Sequence, residues 1–399
     1  MDRIENAQMN SLGTRKLYYE DVHQTDFTAV VMECVPDKEE GYYRIVLDAS
    51  AFFPEEGGQS ADKGTLNGQE VLDVSIKQGI LYHKAACELP AGTRVTGHVD
   101  WNRRFDFMQQ HSGEHLVSGL IHARFGYENV GFHLGADLVT IDFNGEVDEQ
   151  ALQELERAAN EAVWADFAPH IWYPEPDELA HLPYRSKKAL TGAVRLVQFG
   201  DIDLCACCGT HVARTGEIGL IKLFSTTHFR GGSRIEMACG GRALAVLNAL
   251  CAQNRDISVR LSAKPVQTAA AVARLASERT EAQQRAAALE DRLFALLAQD
   301  GQTLRFEPPM PPESVRRLAD AMVRANGARC AVFAGQDGAW HYAMADRDGD
   351  LRGLTKRLNA ALQGRGGGKP GFVQGSLAAS RTDIEAFFTA ESCSTPDQA

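Results

Sequence analysis

Gln109-Gln110-His111-Ser112-Gly113-Glu114-His115-Leu116-Val117-Ser118-Gly119-Leu120 is the stretch from which the rest of the chain can be read. Leu116, Leu120 and Ile121 recur at helical spacing with small or polar residues between them, so the segment reads as a helix. His111 and His115 then leave one face a single turn apart, where two imidazoles can share a metal ion. Alone, the pattern is weak. In a chain with twelve histidines an H-x-x-x-H arises easily by chance, and a half-buried helix with two hydrogen-bonded histidines is spelled the same way.

The second half of the signal is Asp203-Leu204-Cys205-Ala206-Cys207-Cys208-Gly209-Thr210-His211-Val212, in which Cys207 and His211 repeat the four-residue spacing. Thiolate and imidazole are the ligands zinc favours, and four of them fill a tetrahedral site. Two such pairs in one chain are a much rarer coincidence than either alone. His111, His115, Cys207 and His211 are therefore the expected ligands of one zinc ion per chain. Three thiols crowd the second stretch. The spacing favours Cys207, with Cys205 and Cys208 as its neighbours.

At 399 residues the chain is too long for one ordinary core and suggests two to four domains. Its 44% hydrophobic content is that of a soluble globular protein, no apolar run approaches a membrane span, and the first residues carry no apolar signal core. A cytoplasmic protein with no membrane partner is the expectation. Nine scattered cysteines then read as reduced thiols, some of them ligands. The net charge of -12 argues against non-specific nucleic-acid binding over the whole surface but leaves room for a local basic groove.

The pattern predicts an α+β multidomain chain. Residues 1–100 read as a small β-barrel, with strands at 27–35, 43–49, 71–76 and 94–99 punctuated by Gly, Asp and Pro. Within it, Phe52-Phe53-Pro54-Glu55-Glu56-Gly57-Gly58-Gln59-Ser60 is either a plain loop or a place where the backbone approaches a ligand. Residues 101–255 form an α/β region that holds both halves of the metal site, with strands at 137–143, 193–199 and 218–224 and a helix at 149–166. Arg185-Ser186-Lys187-Lys188 is a local basic patch. Residues 256–302 are a helical tract in which Leu275, Ala282, Leu289 and Leu296 are seven apart; Arg279 interrupts the companion seam of Val272, Ala286 and Leu293. Pro308-Pro309-Met310-Pro311-Pro312 reads as a linker. Residues 303–399 read as a small α/β domain with a glycine-rich loop, Gly364 to Gly371, and a frayed tail from Thr389 to Ala399. Arg365 and Lys369 in that loop could meet phosphates, with Lys356 and Arg357 close before it.

Four motifs in order make the chain resemble the alanyl-tRNA editing proteins of the AlaX family, long form, relatives of the editing and C-terminal domains of alanyl-tRNA synthetase. They are Phe53-Pro54-Glu55-Glu56-Gly57-Gly58-Gln59, His111-Ser112-Gly113-Glu114-His115, the run from Cys207 to Gly219, and Arg234-Ile235-Glu236. The C-terminal part resembles the DHH-associated domain of the same synthetase through Gly364 to Gly371 and Gln374-Gly375. The family's loop usually reads Cys-Gly-Gly-Thr-His, and here Cys208 stands for the first glycine. His133 stands where the synthetase carries a pocket glutamine. The resemblance implies zinc-dependent hydrolysis of alanine tRNA carrying the wrong amino acid, serine first and glycine second. It assigns catalytic or pocket roles to Gln59, Glu114 and His133 and tRNA contacts to Arg365, Lys369, Lys356 and Arg357. The helical tract or the C-terminal domain allows a homodimer. Two other readings stand beside it: a zinc-stabilised tRNA-binding module without catalysis, and a metalloprotease, since His111-Ser112-Gly113-Glu114-His115 satisfies H-x-x-E-H with Glu114 as base.

Overall fold

A computed structural model describes residues 13–135, 137–186 and 192–393. The chain divides into two compact units, Met1–Asn254 and Arg255–Ala399. No helix among the described residues is long and apolar enough to cross a membrane.

Besides a short parallel pair, Arg15–Lys16 with Ala49–Ser50, and a helical turn at Leu17–Glu20, the first unit begins with six strands: β1 (Asp26–Pro36), β2 (Tyr43–Leu47), β3 (Gly64–Leu66), β4 (Gln69–Lys77), β5 (Ile80–Ala85) and β6 (Arg94–Val99). They pair in the closed order β1-β2-β5-β4-β3-β6, and β6 returns to β1 through Asp26↔His98 to Val30↔Arg94, so no edge is left open. Alternation decides what lies inside: in β6, Val95 and Val99 are buried while Arg94, Thr96 and His98 face out.

Asp100 caps the next helix, α1 (Trp101–Phe125), by accepting from Arg103 N–H at 3.2 Å, and Gly126 ends it in the left-handed conformation. From Phe107 to Gly119 this helix is buried on every side, so it is a core element rather than a surface one. It is followed by β7 (Asn129–Leu134), β8 (Val139–Phe143), α2 (Glu149–Trp164), β9 (His170–Trp172), β10 (Leu196–Phe199), β11 (Asp203–Ala206), β12 (Ile221–Phe229) and β13 (Gly232–Cys239). Two sheets result, β12-β13-β8-β7 and β9-β10-β11. Together with α1 and α2 they enclose one core that includes Met108, Leu116, Ile141, Leu155, Phe199 and Met237. At Gly113, a Cβ would stand 2.2 Å from Cys239 Sγ, which is why a glycine interrupts an otherwise good helix.

The chain continues through α3 (Gly240–Arg260), α4 (Thr268–Leu297), β14 (Leu304–Glu307), α5 (Pro312–Asn326), β15 (Cys330–Gln336), β16 (Ala339–Ala345), α6 (Arg352–Ala361), β17 (Arg365–Lys369), β18 (Phe372–Leu377) and α7 (Arg381–Cys393). In the second unit the sheet order is β14-β15-β16-β18-β17. The period-two rule splits β15 between two cores. Cys330, Val332 and Ala334 meet α5 together with Phe294 and Ala298, while Ala331 and Phe333 belong with residues of α6 and α7.

Several local expectations are corrected. The proline run is not a linker: β14, before it, pairs in parallel with β15, after it, so the prolines only turn the chain into α5. Gly364 to Gly371 is not a free loop, because Arg365–Lys369 pairs with Phe372–Leu377 as an exposed edge strand. The tail is helical through Cys393, and residues 394–399 lie outside the described residues. The strand expected from Ile218 begins at Ile221, after a 3-10 turn at Thr215–Ile218. Two of the four residues of the Arg185 to Lys188 patch, 187 and 188, lie outside the described residues.

Candidate metal centre

Each wall of the site has a local cause. Gly57 and Gly58 both have positive φ, 66° and 85°, in a tight turn closed by Glu56 and Gln59 exchanging backbone hydrogen bonds of 3.2 and 3.1 Å. That turn aims the Gln59 side chain inward, where it is fully buried. The segment after it is held to α1 by the buried Arg104–Asp62 ion pair, and Asp62 ties down the segment before it by accepting from Phe53 N–H at 2.7 Å. A second loop, after β11, brings Cys207 and His211. Arg195, just before β10, holds it by donating to the carbonyls of Cys207 and Gly209 at 2.9 and 3.0 Å. Gly209 permits close packing, since a Cβ there would lie 2.1 Å from His111 Cε1.

These elements bring His111, His115, Cys207 and His211 together with one ligand atom of each within 4.8 Å of the others. The three imidazole centroids are 4.6 to 5.2 Å apart. All three rings are engaged through Nδ1. His111 Nδ1 meets Gln59 Oε1 at 3.1 Å, His115 Nδ1 meets Asp203 Oδ2 at 2.8 Å, and His211 Nδ1 meets Ser112 Oγ at 3.2 Å. Gln59 Oε1 and Asp203 Oδ2 can only accept, so His111 and His115 donate from Nδ1 and keep a free lone pair on Nε2, and Ser112 Oγ can accept from His211 in the same way. His211 Nε2 is buried and has no hydrogen-bond partner. A buried polar atom without a partner is costly, and a cation at the convergence of the four groups would satisfy it. The donor set, three imidazoles and a thiolate, fits zinc.

The electrostatics agree. Burial pushes the Cys207 thiol up, but His111 and His211, with hydrogen bonds from His111 and His115, outweigh it and hold the thiol well below its ordinary range. Burial raises the other two thiols, Cys208 up to about 11 and Cys205 further. Cys205 does lie near His115 and Asp203. Both carboxylate oxygens of Asp203 are already used, however, one by His115 and the other by Arg185 Nε at 2.7 Å. Burial lowers His211 to about 3 and also pulls His115 down, but Asp203 and Cys207 raise His115 to about 10.

The remaining expected site residues fall differently. Gln59 also bonds the ligand loop, donating to Thr210 Oγ1 at 2.8 Å and accepting from Thr210 N–H at 3.2 Å; it orients His111 rather than standing free in the pocket. Glu114 is buried and accepts from Ser118 and Asn129, and it is not one of the converging groups. His133 is exposed on β7, whose alternation turns the neighbouring Phe132 to stack on His111 with centroids 5.7 Å apart. In the second unit, Arg365, Lys369 and Lys356 are exposed, and Arg357 is paired with Glu391. Sequence reading missed Asp203, Ser112, Arg195 and Phe132. Asp203 left a faint trace, an acidic residue two before Cys205 on a strand, hence on the same buried face.

Two family models match the chain. One is described as the threonyl and alanyl tRNA synthetase second additional domain, over residues 194–236, and the other as tRNA synthetases class II (A), over residues 2–103. The alanyl-tRNA editing protein AlaX-L of Pyrococcus horikoshii is 31% identical over 243 residues, covering 58% of this chain and 60% of that protein. The alanine–tRNA ligase of Halorubrum lacusprofundi is 30% identical over 391 residues, 91% of this chain but 42% of the ligase. The alanyl-tRNA editing protein Aarsd1 of Danio rerio is 25% identical over 406 residues, 95% of this chain and 98% of that protein. The chain thus spans less than two thirds of the first two of these relatives. Fold, metal centre and matches define a multidomain α+β protein of the class that shares its modules with alanyl-tRNA synthetase. Within that class the chain is similar to the alanyl-tRNA editing proteins AlaX-L and Aarsd1.

Proposed function

We propose that this chain hydrolyses the ester joining a wrong amino acid to alanine tRNA, seryl-tRNA first and glycyl-tRNA second, at one zinc ion held by His111, His115, Cys207 and His211. The observation that carries this reading is the convergence of three Nε2 atoms and a thiolate whose supporting hydrogen bonds are already made. Zinc bound there would supply Lewis-acid polarisation to an activated ester or a water. The protein's own part is to orient: Gln59 and Asp203 fix two ligand rings, and Phe132 and Phe199 wall the cluster with apolar surface. The choice of substrate follows from pocket physics. An alanine-sized synthetic site cannot reject glycine or serine strongly, whereas an editing pocket that hydrogen-bonds a hydroxyl disfavours alanine.

tRNA is held partly by exposed cations of the second unit, Arg365, Lys369 and Lys356, with Arg357 contributing less because Glu391 already engages it. Leu275, Leu289 and Leu296 are 52%, 58% and 67% exposed along α4, a seam suited to a homodimer. A cytoplasmic location accords with that activity. The commitment of Glu114 to Ser118 and Asn129 speaks against a protease base. One specific observation favours a second reading: four protein ligands make a closed set, as in structural zinc sites. Incubating the full chain with separately prepared seryl-, glycyl- and alanyl-tRNA separates the two. The proposal expects release of serine, then glycine, with alanine spared; tRNA binding without release above the spontaneous rate would overturn it in favour of a zinc-stabilised binding module.

A further inference from the structure

Beside the metal centre lies a cluster that its chemistry leaves unused. The antiparallel register pairs Trp172 with Leu196 and Leu196 with Ala206. One step further along, Cys207 N–H donates to Arg195 O at 3.1 Å, and Tyr173 is the residue that follows Trp172. Arg195 lies over the Tyr19 ring at 4.4 Å, and the Tyr19 hydroxyl donates to Cys208 O at 2.6 Å. Lys16 Nζ is 5.5 Å from the same ring. Trp172 pairs with Leu196, so Tyr173 leaves β9 beside the strand next to which Arg195 holds the Cys207–Gly209 loop. Tyr18 and Tyr19 are packed or hydrogen-bonded, whereas Tyr173 is 42% exposed and makes no hydrogen bond or ring contact among the described residues.

A half-exposed aromatic ring near the loop of a buried metal centre, with Arg195 and Lys16 on the ring of Tyr19, is the kind of surface on which nucleobases stack. We propose that Tyr173 is a stacking platform for the terminal nucleobase of an aminoacylated RNA, with Lys16, over the Tyr19 ring, as the cation for the adjoining phosphate. This rests on the deacylase reading above and adds the residue that positions its substrate. In that substrate the ester sits on the ribose of the last nucleotide, so the base must lie close to the reacting bond. A platform two strands across from Cys207 would hold it there without reading its sequence.

The test uses the full-length zinc-loaded protein with seryl-tRNA and with serine methyl ester, which lacks the base. Tyr173→Ala should raise KM for seryl-tRNA about tenfold with kcat little changed. The preference of the protein for seryl-tRNA over the methyl ester should fall by a similar factor. Tyr173→Phe, which keeps the ring, should stay within about twofold of the parent on both measures. Zinc content checks that the variants are folded. An unchanged KM in Tyr173→Ala, or an equal loss on both esters, would overturn the platform. If the parent hydrolyses neither ester, the deacylase reading fails separately, and titration with adenosine monophosphate still decides. A saturable change in tyrosine fluorescence that Tyr173→Ala abolishes sustains the platform, and the same response in both proteins ends it.

Discussion

His211 and Arg365 both read as binding residues in the sequence, yet the fold treats them in opposite ways. His211 is buried, one ring nitrogen is tied to Ser112, and the other faces three further ligand groups without a partner. Arg365 lies in the open on an edge strand, where water satisfies it at no cost. A buried polar cluster is tolerated only when its remaining needs are met, so its geometry carries information about the ligand. An exposed basic strand is compatible with almost any role. The first unit is therefore a specific chemical statement, and the second constrains little beyond the sign of a partner's charge.

The largest expected effect lies in the first unit. Replacing His211 with Ala should reduce zinc, measured by elemental analysis, from one per chain to near none, and seryl-tRNA hydrolysis by roughly a hundredfold or more. Retained zinc would erase the contrast between the two units.

Acid should also separate them. His83 is fully buried in the barrel, where it donates from Nδ1 to Ile45 O at 3.0 Å and its Nε2 lies 2.8 Å from Ser50 Oγ, and burial lowers its pKa to about 4. Because the folded value is depressed below the ordinary 6.5, its share of stability is present above pH 6.5 and is lost as pH falls toward 4. The loss amounts to about 3 kcal/mol. The only histidine of the second unit, His341, is exposed. Urea unfolding at pH 7 and pH 5 should weaken the first unit and spare the second, and His83→Gln should flatten the difference. Equal acid sensitivity in both units would count against this.

A smaller effect is expected at Asp203, which orients His115 without being a ligand. Asp203→Asn should weaken zinc affinity about ten- to a hundredfold in chelator competition, because the amide is a poorer acceptor for His115 Nδ1. Unchanged affinity would mean that His115 is positioned by packing alone.

The smallest effect belongs to the second unit. The double variant Arg365→Ala with Lys369→Ala should reduce the slope of log affinity for tRNA against log salt by about two and leave zinc untouched. An unchanged slope would remove this strand from the RNA surface. Truncation at the proline run is a poor alternative, because it would separate β14 from the sheet it completes.

How much of this was legible depended on the distance over which the physics acts. The α1 helix and its i, i+4 histidine pair follow from local periodicity, although its ends at Asp100 and Gly126 were not read. The Cys207 and His211 spacing was readable for the same reason. What escaped were partners brought in from elsewhere. Asp203 reaches His115 across 88 positions, Gln59 reaches His111 across 52, and a one-residue strand alternation decides that Phe132, not His133, faces the metal centre. The glycine-rich segment was opaque because glycine disfavours strands locally; pairing with Phe372–Leu377 overrides that preference. The short strand before the prolines was hidden because its only partner lies beyond α5.

X-ray absorption at the zinc edge of the 399-residue chain reads the ligand set itself. The account predicts a four-coordinate ion with three imidazole nitrogens at about 2.0–2.1 Å and a single sulfur at about 2.3 Å. A second sulfur would bring Cys205 or Cys208 into the shell, a shell without sulfur would remove Cys207, and either result would contradict the site described here.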